Sequence, residues 1–133
     1  MRLEINGQEA EVASPADLRP YWDAVRRHQF SEVWLRVADE GPALAMLVNQ
    51  PSAWLMYLGQ DEDIGFSSRN PEYAGPPDAH LDFVLGNAQR DYYPVAWVLP
   101  LQQALAACEY FLRTQGERSP DVVWHDDAVE DKP

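Results

Sequence analysis

Glu32-Val33-Trp34-Leu35-Arg36-Val37-Ala38, Ala43-Leu44-Ala45-Met46-Leu47-Val48 and Ala53-Trp54-Leu55-Met56-Tyr57-Leu58 are the three runs whose reading decides the fold. In the first, Val33, Leu35 and Val37 alternate with Glu32, Trp34 and Arg36, the period of a strand with one face buried. The second and third are apolar throughout, as in strands covered on both faces. Asp39-Glu40-Gly41-Pro42 and Asn49-Gln50-Pro51-Ser52 are short, turn-forming links. Short links between strands make antiparallel neighbours, so the three runs read as a meander.

Upstream, Leu3–Ile5 and Glu9–Val12 flank Asn6-Gly7, a dipeptide suited to the positive φ angles of a tight hairpin turn. Ser14-Pro15 starts a helix with a capping hydroxyl and a proline at its first position. Leu18, Tyr21, Trp22 and Val25 share one face of it, and it runs to about His28. Pro20 is expected to kink or restart it.

Downstream, residues 59–79 turn to Gly, Pro, Ser, Asp and Glu, with only Ile64–Ser67 able to form a short strand. A connection this long tends to be functional or disordered. His80–Leu85 resumes alternation, turns at Gly86-Asn87 and returns through Arg90–Val98. Pro94 makes that return an edge strand or bends it.

Val98-Leu99-Pro100 opens a second helix, in which Leu101, Ala104, Leu105, Cys108, Phe111 and Leu112 mark the apolar face. The helix stops at Thr114-Gln115-Gly116, and Val122–Trp124 is a last strand. The sum is an α+β chain: one domain over residues 1–127, an antiparallel sheet of about five to seven strands with two main helices packed on one face, and a polar tail over 128–133.

The 133 residues suffice to bury a core without a disulfide or metal. The single cysteine, Cys108, lies on the apolar face of the second helix and reads as a small hydrophobe in a reducing cytosol. No secretory leader is expected from Met1-Arg2-Leu3-Glu4-Ile5-Asn6-Gly7, and no run approaches the length of a membrane helix. A cytoplasmic protein is the expectation.

Ten basic residues stand against 22 acidic ones, a net charge of −12. Residues 1–60 carry −3 of it and residues 61–133 carry −9. Asp61-Glu62-Asp63 is one cluster; Asp121, Asp126, Asp127, Glu130 and Asp131 form another. Such a field repels phosphate backbones and anionic lipid and attracts basic proteins, so neither nucleic acid nor membrane is an expected direct partner. Acidic faces also keep small domains dispersed, and from composition alone that is the favoured explanation of the charge.

No nucleophile elbow, phosphate-binding glycine loop, zinc-protease motif or Cys-x-x-Cys is present. His28, His80 and His125 are isolated from one another. Asp61-x-Asp63-x-Gly65 with Glu72 imitates part of a calcium loop, but Phe66 occupies the position that requires glycine. No cofactor or metal is expected, and no catalytic residue can be named. Among the aromatics, Trp22, Phe83 and Phe111 fall on core faces. Trp34 and Trp124 stand beside charge, as interface anchors do, although either ring could instead cover a helix. Of Tyr92-Tyr93, one ring is expected inward and the other outward.

The helix-to-strand return ending in Ser119-Pro120-Asp121-Val122-Val123-Trp124-His125-Asp126-Asp127 resembles the Imm1 family of immunity proteins. The likeness runs back through Tyr92-Tyr93-Pro94, the two apolar strands and Glu32-Val33-Trp34-Leu35. The family shows Trp followed two positions later by Glu; here Asp126 keeps the charge with one methylene less reach.

The resemblance implies a non-catalytic protein that neutralises a toxin of a polymorphic toxin system, often a nucleic-acid deaminase, by blocking its active site. With the charge, it points to Asp61, Glu62, Asp63, Tyr92, Trp124, Asp126 and Asp127 as toxin contacts, on a chain that is a monomer or weak dimer when alone. An acidic secretion chaperone, an obligate dimer holding an effector, is the alternative that shares length and charge. An unrecognised small enzyme is the third.

Overall fold

A computed structural model describes residues 1–59 and 64–129. In chain order the elements are β1 (Arg2–Ile5), β2 (Gln8–Glu11), α1 (Pro15–Arg27), β3 (Phe30–Arg36), β4 (Ala43–Asn49), β5 (Ser52–Leu58), β6 (Phe66–Arg69), β7 (His80–Val84), β8 (Arg90–Pro94), β9 (Leu99–Pro100), α2 (Leu101–Thr114) and β10 (Val123–Asp126). The fold is α+β. The main sheet runs β10-β6-β5-β4-β3-β1-β2, and the two residues of β9 pair with β5 beside β6. All the pairings are antiparallel.

The meander forms as β3, β4 and β5, in register from Phe30↔Asn49 to Arg36↔Ala43 and from Ala43↔Leu58 to Asn49↔Ser52. The Asn6-Gly7 hairpin forms as well, with both residues at positive φ, 48° and 89°. β1 then inserts between β2 and β3, and α1 carries the chain over it.

Both helices lie on one side of the sheet. Leu18, Trp22 and Val25 of α1 join Leu105, Phe111 and Leu112 of α2, with Leu3, Val33, Leu35, Met46 and Leu55 beneath. Cys108 is 1% exposed in this cluster, and burial pushes its thiol up to about 12, with Glu109 adding to the shift. A thiol so placed stays protonated and inert.

The other side of β4 and β5 is covered by β7 and β8. These two strands form a separate two-stranded sheet and do not join the main one. Phe83 inserts beneath the hairpin against Leu47, Trp54 and Val98. Tyr93 stacks on Trp54 at 4.0 Å, and Asn49 Nδ2 donates to the Asp82 carbonyl at 2.8 Å. Two-sided cover explains why β4 is buried from Ala43 to Val48.

Three expectations shift in detail. Pro20 sits inside α1 without breaking it. The carbonyl it leaves without a donor is that of exposed Ala16, where water can replace the missing N–H. Asp17 completes the start of α1 by accepting from Ala13 N and Ser14 N at 2.8 and 3.2 Å. Pro100 caps α2 rather than opening it, because Leu99 and Pro100 first pair with Ala53 and Ser52 of β5. The short strand of the long connection is Phe66–Arg69, two residues later than its sequence suggests. Asp126–Val129 closes the described chain with a turn, and residues 130–133 of the expected tail lie outside it.

Candidate functional site

The described residues among those singled out from sequence do not assemble into one patch. Asp61, Glu62 and Asp63 lie outside the described residues. Trp124 and Asp126 belong to β10, the outermost strand of the sheet, in register with Ser68 and Phe66. Tyr92 lies on the outer surface of the β7–β8 hairpin, 66% exposed, with His80 edge-on at 6.2 Å. The sheet therefore stands between Tyr92 and Trp124.

Trp124 faces the helix side. Its ring meets Tyr57 edge-on at 6.3 Å, and its Nε1 donates to the Ser119 carbonyl at 2.9 Å. It lines a cavity of about 450 Å³ with Tyr57, Glu117, Arg118, Pro120 and Val122. The guanidinium of Arg118 lies 3.7 Å from the Phe66 ring centre and 5.6 Å from that of Tyr57. Trp124 is thus partly a packing residue and partly a cavity wall.

The two adjacent acids differ. Asp126 is exposed, and one of its oxygens caps the closing turn by accepting from Ala128 N at 3.0 Å. Asp127 turns the other way: its Oδ1 accepts from the Ser67 hydroxyl at 2.7 Å and lies 3.9 Å from Arg69 Nη2. Arg69 in turn lies 3.8 Å over the Trp97 ring. Asp127 anchors the β6–β10 edge from beneath, while Asp126 points its charge outward.

The opposite end of the sheet holds a second concave surface. A cavity of about 300 Å³ opens between the β1–β2 turn, β3 and the β7–β8 turn, walled by Glu4, Asn6, Glu32, Trp34 and Gly86. Glu32 builds it: Oε2 accepts from Trp34 Nε1 at 3.0 Å and Oε1 from Gly86 N at 3.0 Å. The Asn6 side chain accepts from Glu32 N at 2.9 Å. A Cβ on Gly86 would come within 3.0 Å of Asn6 Cα, so glycine lets the two turns touch.

Sequence reading had marked Trp34 by its charged neighbours. Glu4 was missed, because its place beside Trp34 comes from pairing β1 with β3.

Among the described residues no group of three His, Cys, Asp or Glu side chains is placed to hold a metal. No described helix is long and apolar enough to cross a membrane.

The family model of immunity protein Imm1 matches residues 6–126. The chain belongs to the Imm1 family. An Imm1 protein is an immunity protein, whose partner is a toxin protein. The matched span starts in the β1–β2 turn and ends at Asp126, so it takes in both helices, the hairpin and all of β10. No match exists among curated proteins.

Proposed function

We propose that this Imm1 protein acts in the cytoplasm without catalysis, binding a cognate toxin, most favourably a nucleic-acid (cytosine) deaminase domain, and occluding its active site with acidic surface. The observation that carries this reading is the Imm1 match, which ends on an edge strand that turns Asp126 outward. An enzyme acting on nucleic acid needs a basic mouth to hold phosphate. Carboxylates presented by the inhibitor can take the places of phosphates there and speed the encounter.

Asp61, Glu62, Asp63, Tyr92, Trp124, Asp126 and Asp127 are the proposed contacts. Asp126 is the cleanest probe among them, since Asp127 also ties β10 to β6.

The test is co-expression with the toxin encoded beside this chain. Protection and co-purification are expected, with Asp126→Lys slowing stopped-flow association at low salt and flattening its salt dependence. Equal lethality with and without the chain overturns the reading, and an unchanged association rate overturns its electrostatic part.

A further inference from the structure

The Glu4–Glu9 pairing at the β1–β3 end does not serve folding. Register places Glu4 directly opposite Glu9 on one side and Trp34 on the other. Like charges directly opposite one another destabilise a strand pair. Neither Glu4 nor Glu9 meets a cation among the described residues, whereas Arg2 in the next rank is bridged to Asp39 at 3.0 Å. Glu32 is the second carboxylate of the cavity wall beside Glu4, held in place by two N–H donors. The wall between Glu4 and Glu32 is an indole ring that is only half-buried.

We infer that this cavity is a receptor for an arginine side chain of the toxin. The inference rests on the immunity reading and adds to it a second contact. A guanidinium is planar, so it can lie against the Trp34 ring while its edge donates to Glu4 and to the remaining lone pairs of Glu32. The ring already receives one guanidinium, that of Arg36, two residues along β3, at 4.5 Å from the Trp34 centroid, so an incoming one must use the part of the ring that lines the cavity. Arg36 lies up the strand from the ring and Glu32 down it, and Arg36 is no part of the cavity wall. A volume of about 300 Å³ admits one long side chain and excludes a folded element.

Trp34 is separated from β10 by β4, β5 and β6, a distance of about 20 Å at ordinary strand spacing. It also faces the hairpin side, whereas Trp124 and Asp126 face the helix side. A toxin that engages both sites therefore wraps an edge or end of the sheet.

The test is an NMR titration of the ¹⁵N-labelled full chain with N-acetyl-arginine amide, and in parallel with N-acetyl-lysine amide. Arginine amide is expected to shift the Trp34 indole, Gly86 and Gly7 signals at least threefold more strongly than lysine amide at equal concentration. Glu4→Gln should abolish the difference without unfolding the chain.

Shifts spread evenly over the acidic surface, or a response that survives in Glu4→Gln, overturn the inference. With the co-expressed toxin, Glu4→Gln should weaken affinity about tenfold, the loss of one charge-assisted hydrogen bond. A wild-type chain that protects while Glu4→Gln binds equally well refutes the cavity and leaves the immunity reading standing. Failure of the wild-type chain to protect refutes the immunity reading and, with it, the toxin arginine.

Discussion

On its helix-bearing side the sheet buries a continuous apolar cluster from Leu3 to Val122, whereas on the side beneath β7 and β8 the buried cluster among the described residues is the smaller one of Leu47, Trp54, Phe83 and Val98. The first side is closed by two amphipathic helices. The second is closed by a hairpin that covers β4 and β5 and leaves Glu4, Trp34 and Arg36 partly open. The two sides differ accordingly: the helix side supplies most of the burial that stabilises the chain, and the hairpin side leaves polar surface open. It also explains how repulsion between Glu4 and Glu9 is tolerated, since a strongly packed opposite face can offset a small electrostatic cost.

The comparison breaks most sharply at Phe111. It is fully buried between Tyr57 and the neighbouring core, with the Tyr57 ring edge-on at 6.1 Å. Phe111→Ala should cost about 3–5 kcal/mol in denaturant unfolding. A loss of less than about 1 kcal/mol would mean that the helix side is not the main store of stability.

A smaller effect belongs to the hairpin side. Burial, then the charge of Asp91 and its hydrogen bond at 3.3 Å, push Tyr93 up to about 12 from the ordinary 10.0. Above pH 10 the unfolded chain loses the phenolic proton while the folded one keeps it. Stability is therefore intact below about pH 10 and falls as pH rises toward 12. Tyr93→Phe should flatten that alkaline decline while keeping the stacked ring on Trp54. An identical decline in both proteins, followed by unfolding against pH, would show that the phenol is not held this way.

The smallest effect sharpens the contrast within the sheet. Glu9→Gln removes one member of the Glu4–Glu9 pair and should raise stability by a few tenths of a kcal/mol, on the order of one unfavourable cross-strand pair. Differential scanning calorimetry at low salt reads this as a slightly higher Tm. A lower Tm would mean that the pair is satisfied within the chain.

Much of this layout is legible in the residues themselves. Alternation marks β3, unbroken apolarity marks β4 and β5, Asn6-Gly7 marks the first turn, and the 3.6-residue spacing marks the buried faces of α1 and α2. Each is a local signal, carried by neighbours a few positions apart. The alternation of Leu81, Phe83 and Leu85 likewise shows a strand with one covered face.

What covers that face is a non-local fact, and so the hairpin's separation into its own layer was not readable. The same holds for Pro100, whose strand pairing depends on β5 some fifty residues earlier, and for Asp127, whose inward turn depends on Ser67 and Arg69. The proposed recognition surfaces follow this rule. Trp124 and Trp34 stand out in sequence as aromatics beside charge, but which face each occupies was open.

From sequence alone come the α+β class, the meander, the two helices with their buried faces, the acidic balance and the likeness to Imm1 proteins. Periodicity and composition are properties of the chain read in order, so they survive without coordinates. Tertiary structure alone decided that Glu4, Glu32 and Trp34 share one cavity, that Asp126 points out while Asp127 points in, and that the two candidate surfaces lie on opposite sides of the sheet. Strand register and layer stacking bring together residues far apart in the chain, and no local pattern encodes which distant partner a strand will take.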